Sequence, residues 1–126
     1  MASKRILVVD ESAIACLATA EALNVQGIVA THLSPAVFAS SGSLEARPDL
    51  VILGVSLPDG DGFPLVAQVA GRLAGVPIVL FAMEPRTLRF AELAALGVVA
   101  VLPKSILPSD LRRSVCALLG LADGRR

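Results

Sequence analysis

Short apolar runs alternate along this chain with longer segments whose apolar positions recur every three or four residues. Arg5 to Val9, Ile28 to Leu33, Leu50 to Leu53, Pro77 to Phe81 and Val98 to Leu102 are the short runs. Leu50 to Leu53 is continuous in apolar residues rather than alternating, which predicts a central strand covered on both faces. The intervening segments predict helices. Ser12 is suited to cap a first helix in which Ala13, Cys16, Leu17 and Ala20 fall at i, i+3, i+4 and i+7, ending near Gly27. Ser34-Pro35 opens a second, weak helix broken by Ser40-Ser41-Gly42. Phe63-Pro64 starts a third, with Leu65, Val66, Val69 and Leu73 inward, Gln68 and Arg72 outward, and Gly75 closing it.

A fourth helix is predicted from about Arg86 to Leu96, with Arg86, Arg89 and Glu92 as a narrow polar stripe and Gly97 as its stop. Pro108-Ser109-Asp110 starts the last, with Leu111, Val115, Leu118 and Leu119 inward, and the tail from Asp123 to Arg126 is predicted to fray. Five strands alternating with five helices predict an α/β doubly wound five-stranded parallel sheet. Right-handed crossovers favour the flavodoxin-like (βα)5 order 2-1-3-4-5. The chain reads as one domain, residues 1–126, with about 4–120 ordered.

Composition narrows the picture. At 55% hydrophobic and 17% charged, the chain has the apolar surplus that a sheet buried on both faces uses. Its net charge is zero, so it lacks the basic footprint of a nucleic-acid binder. Residues 22 to 44 carry no charge, but Asn24, Gln26, Gly27, His32 and Pro35 interrupt them too often for a membrane span. Asp10-Glu11 cuts the first apolar run short of a signal peptide, and the expected location is cytoplasmic. Cys16 and Cys116 have no metal-ligand spacing and read as reduced thiols on two helices that share a sheet face, a redox link being the less favoured reading. His32 stands alone near a strand end and reads as a packing or surface residue.

The stretch from Pro48 to Gly62 concentrates the chemistry. The buried run Leu50 to Leu53 leads through Gly54 into Leu57-Pro58-Asp59-Gly60-Asp61-Gly62, a Pro/Gly turn placed where ligand-binding loops form. Asp59 and Asp61 read as turn residues; the spacing also matches the start of a calcium loop, but Phe63 and Ala70 occupy places that need oxygen ligands. In the 2-1-3-4-5 order the first and third strands are neighbours, so Asp10, Glu11 and Gly54 are expected at one carboxyl edge.

On Leu57, Pro58, Asp61 and Gly62, with the acid pair after Leu7-Val8-Val9, the whole chain resembles the receiver domain of bacterial two-component response regulators. The resemblance implies a site in which carboxylates hold Mg²⁺, an Asp accepts a phosphoryl group, a Lys neutralises charge and a hydroxyl holds the product. Asp10, Glu11 and Lys104 match the acid pair and the Lys. The acceptor place is Gly54, the hydroxyl place Ala82 and the aromatic switch place Val101, while the Pro that follows the Lys is Ser105. No catalytic residue is therefore expected. Lys104 is expected to pair with Asp10 or Glu11 across a vestigial site, and Mg²⁺, if held by Asp10, Glu11 and Ser56, is expected to be weak and not required.

Nucleophile, hydroxyl and rotamer switch are lost together, which fits an atypical receiver: a non-enzymatic module signalling by protein–protein interaction without phosphorylation. The resemblance places the partner or homodimer surface on the fourth helix, fifth strand and fifth helix, here Leu88, Phe90, Leu93, Val101, Leu111 and Arg112, with no role for nucleic acid or membrane. One alternative is a phosphorelay receiver that accepts phosphate on Asp59 or Asp61 with Mg²⁺. A weaker one is a flavodoxin-like small-molecule binder.

Overall fold

A computed structural model of the chain describes residues 3–25, 27–40, 47–55, 63–82 and 90–121. Its elements run β1 (Lys4–Val9), α1 (Ala13–Leu23), β2 (Ile28–Leu33), α2 (Pro35–Ser40), β3 (Leu50–Val55), α3 (Phe63–Arg72), β4 (Ile78–Ala82), α4 (Phe90–Ala95), β5 (Val98–Pro103) and α5 (Pro108–Leu119). The five strands form one sheet in the order β2-β1-β3-β4-β5, and every neighbouring pair is parallel. This is the doubly wound order expected from the alternation of elements.

The continuous apolar strands are explained by two cores. Successive side chains of a strand point to opposite faces, so Ile6, Val8, Leu50 and Ile52 pack with Cys16, Leu23, Val115 and Cys116 on the α1 and α5 side. Leu7, Val9, Val51 and Leu53 pack with Phe38, Val66, Val69 and Leu93 on the other. All six residues of β3 are buried, as a central strand covered on both faces requires.

Three helix faces differ from the sequence expectation. On α1 the buried residues are Cys16, Thr19, Ala20 and Leu23, whereas Leu17 is 50% exposed and Ile14 83%. The helix is apolar nearly all round, so its composition selects no face. Its orientation is set instead by Ser12, whose hydroxyl accepts the Ala15 N–H at 3.1 Å, and by Asn24, which bonds Ala20 and Ala30 beyond its end. The helix accordingly stops at Leu23 rather than near Gly27. On α5, Cys116 is buried and Leu118 is 42% exposed, a rotation of the inward stripe toward α1. On α3, Arg72 is half-buried rather than outward; its guanidinium lies 4.4 Å from the centroid of the Phe38 ring, a cation–π contact, and donates to the Phe38 carbonyl.

Gly75 and Gly97, at φ 86° and 105°, turn the chain into β4 and β5 in a region that side chains other than glycine rarely adopt. The expected start of α4 at Arg86, the Ser41-Gly42 break and the frayed tail lie outside the described residues. Among the described residues no helix is long and apolar enough to cross a membrane.

Candidate functional site

The site is built where three strands end together. Val9 stands opposite Leu53 in the β1/β3 ladder, which brings the next residues, Asp10 and Gly54, side by side. Ala82 closes β4 opposite Pro103 of β5, and the Lys104 N–H donates to the Ala82 carbonyl at 2.9 Å. The chain therefore delivers Lys104 to the same edge by backbone pairing alone.

Asp10 is 6% exposed, and both of its carboxylate oxygens are engaged. Oδ1 accepts the Ser12 N–H at 2.9 Å, and Oδ2 lies 3.2 Å from Lys104 Nζ in an ion pair whose side chains are 17% (Lys104) and 7% (Asp10) exposed. Oδ2 also occupies the space beside Gly54. A Cβ built on Gly54 would overlap Oδ2 and Cγ of Asp10 and lie 3.1 Å from its Cβ. Gly54 is not among the glycines of positive φ, so its backbone would accept a side chain. What a side chain there would have to displace is the Asp10 carboxylate.

A buried thiol supports this arrangement from below. Cys16 Sγ donates to the Asp10 carbonyl at 3.3 Å and lies 3.7 Å from the Leu33 carbonyl. Burial pushes the Cys16 thiol above its ordinary pKa, and the nearby Asp10 charge adds to that push. A thiolate is the reactive form, so Cys16 is a packing residue. Cys116 is likewise buried and forms no disulfide.

Of the residues expected at the site, Asp10, Gly54 and Lys104 come together and Ala82 adjoins them. Glu11 is exposed. Ser56, Asp59 and Asp61 lie outside the described residues. The residues expected at the interface differ in exposure. Leu93 and Leu111 are buried, at 0% and 3% exposure, because they are the core-facing residues of α4 and α5. Arg112 turns toward α1, its Nε donating to the Ala22 carbonyl at 3.2 Å. Val101 is half-buried against the α3 and α4 core, and Leu88 lies outside the described residues. Phe90 is exposed, as is Val99 on β5, at 52% and 51%.

Two features were not anticipated: Asp10 filling the Gly54 niche, and Cys16 bonding beneath it. A missing side chain at a buried strand end was the available signal, since interiors are close-packed and a neighbour must take up the space. A cleft of about 170 Å³ opens beside Lys104, lined by Ala15, Thr19, Phe81, Ile106 and Pro108 among others.

A doubly wound sheet with an acid and a lysine meeting at its carboxyl edge defines a receiver-type α/β module. The family model for the response regulator receiver domain matches residues 6–116, and the chain belongs to that family, whose members are signalling modules of two-component systems. It is similar to a response regulator receiver protein from Burkholderia phymatum, at 30% identity and a TM-score of 0.74 over 95% of this chain and 98% of that one. The non-phosphorylated HemR receiver domain from Leptospira biflexa, at 20% identity and a TM-score of 0.76, covers 95% of this chain and 97% of its own and supports the fold. A protein-glutamate methylesterase/protein-glutamine glutaminase from Anaeromyxobacter dehalogenans (strain 2CP-C) is 33% identical over 88% of this chain but only 34% of its own length. The chain thus spans about a third of that relative.

Proposed function

We propose that this receiver domain signals by phosphorylation-independent protein–protein interaction and is not itself an enzyme. The observation that carries this reading is the Asp10 carboxylate lying in the Gly54 niche and paired with Lys104 at 3.2 Å. The place of an acceptor side chain is filled, the lysine that would meet a phosphoryl group is already neutralised, and Ala82 offers no hydroxyl. The chain's single histidine, His32, is exposed on the edge strand β2, so we assign no hydrolytic chemistry of the methylesterase kind to this segment.

Intact-mass measurement after incubation with Mg²⁺ and acetyl phosphate tests the first half. The expected result is no added phosphoryl group. A gain that peptide mapping places on Asp59 or Asp61 would establish the phosphorelay alternative instead.

The interaction half rests on the α4, β5 and α5 side, where Phe90 and Val99 present apolar surface, the partner being a second copy or another signalling protein. Sedimentation of the parent and a Val99→Glu variant checks it. A concentration-dependent dimer, or capture of a signalling partner, is expected for the parent and not for the variant. Sensitivity to Ile14→Glu on α1 but not to Val99→Glu would move the surface to the opposite helix, and a strict monomer without a partner would remove the proposal.

A further inference from the structure

We propose that Lys104 is the resident cation of this acidic site, an internal ammonium standing where the resemblance implies a divalent metal ion, and that Gly54 is what permits the exchange. The inference deepens the phosphorylation-independent reading and rests on it.

A hard divalent cation needs several oxygen ligands with free lone pairs and little competing positive charge. The residues present do not fit that need. Asp10 Oδ1 already accepts the Ser12 N–H, and Oδ2 faces the positive charge of Lys104 Nζ, which competes with any metal ion for that oxygen. The strand end that would supply a third carboxylate is Gly54, and Glu11 is exposed. Among the described residues no group of three His, Cys, Asp or Glu side chains is placed to share a metal ion. A metal ion reaching Asp10 would sit beside a fixed ammonium, and the repulsion between two such cations at contact distance in a partly dry site is strong.

Gly54 makes the exchange possible sterically. With no side chain on β3 at that point, Asp10 can lay its carboxylate across the strand end and reach Lys104 after β5. One acid and one base then link the ends of β1 and β5 across the intervening strands, at the edge where the family resemblance implies a metal. A side chain at position 54 would drive Asp10 out of the niche, break its pair with Lys104 and free its carboxylate for a metal ion. Gly54→Asp does this and adds the missing carboxylate.

The test is Mg²⁺ titration of the full chain followed by thermal midpoint, with Mn²⁺ binding read directly by water-proton relaxation. The parent is expected to show no saturable Mn²⁺ binding and no shift at 10 mM Mg²⁺. Gly54→Asp is expected to bind Mn²⁺ and to rise by about 4–7 °C at ten times its dissociation constant. Saturable metal binding by the parent, with no phosphoryl gain in the mass assay, overturns this inference and leaves the proposed function standing; phosphoryl gain by the parent overturns the proposed function itself. If Gly54→Asp does not fold, the parent's Mn²⁺ titration still decides the inference. If it folds and binds no metal, the role given to Gly54 is wrong.

Discussion

Gly54→Ala is expected to lower stability by about 2–3 kcal/mol, although adding one methyl group to a strand glycine ordinarily stabilises it by about 0.5–1 kcal/mol. The sign reverses here because the new Cβ would overlap the Asp10 carboxylate. β3 is buried along its whole length and is held between β1 and β4, so the backbone cannot retreat and the side chain must move. Moving Asp10 detaches a 6%-exposed carboxylate from Lys104 and from the Ser12 N–H together. Separating a buried ion pair costs about 3–5 kcal/mol, and the smaller figure allows for Asp10 reaching water after it rotates. For a domain of this size the thermal midpoint should fall by roughly 3–5 °C for each kcal/mol.

The decisive comparison is the same substitution in an Asp10→Ala background. There the niche is vacant, and the Gly54→Ala methyl group fills part of it and stiffens the unfolded chain less favourably for unfolding. The substitution should then be neutral or mildly stabilising, giving a coupling energy of about 2 kcal/mol or more between positions 10 and 54. Equal costs in both backgrounds would show that Asp10 does not occupy the niche.

Lys104→Met should destabilise the domain by about 2–4 kcal/mol, since it leaves Asp10 as a buried charge without its counter-ion. Met matches the lysine stem closely, so the loss reports the charge rather than the packing. Salt distinguishes this pair from a surface one. With side chains 17% and 7% exposed, Lys104 and Asp10 are screened weakly, and the loss should persist at high ionic strength. The Arg113–Asp110 pair, 2.9 Å apart but 56% and 47% exposed, provides the contrast: its removal should change stability by no more than about 0.5 kcal/mol. Denaturant melts of Lys104→Met, Asp10→Asn and the double variant at low and high salt measure both. In the double variant the buried charge is gone, and part of the loss should be recovered. An unchanged midpoint in Lys104→Met would mean that the ion pair contributes nothing to holding the strand ends together.

These two variants bear on function as well as stability. If Asp10, Gly54 and Lys104 are energetically coupled, this edge acts as a structural staple, and the proposed signalling has to come from surface that a partner can reach. Phe90 and Val99 are such surface, whereas Leu93 and Leu111 serve the cores.

The local sequence by itself determined the architecture. Continuous apolar runs at β1 and β3, bounded by acidic residues, Pro or Gly, imply strands buried on both faces, and their alternation with helical segments leaves few chain paths to consider. The boundaries of β2 and the cap at Ser12 follow from residue chemistry that acts within a few positions. That positions 54 and 82 carry neither a carboxylate nor a hydroxyl was equally readable, because they are Gly and Ala.

Other features were decided by the tertiary structure. The buried side of α1 was not legible, because a helix apolar nearly all round packs on the face its caps and neighbours impose, leaving Leu17 outside and Thr19 inside. Nor was the direction of Arg112 legible, since a carbonyl of α1 selects it. Above all, the sequence placed Asp10, Gly54 and Lys104 at one edge but left Lys104 a choice between Asp10 and Glu11. That choice depends on which carboxylate can enter the space a missing side chain leaves. Contacts of volume and charge between residues distant in sequence exist only once β1, β3, β4 and β5 are assembled in one sheet.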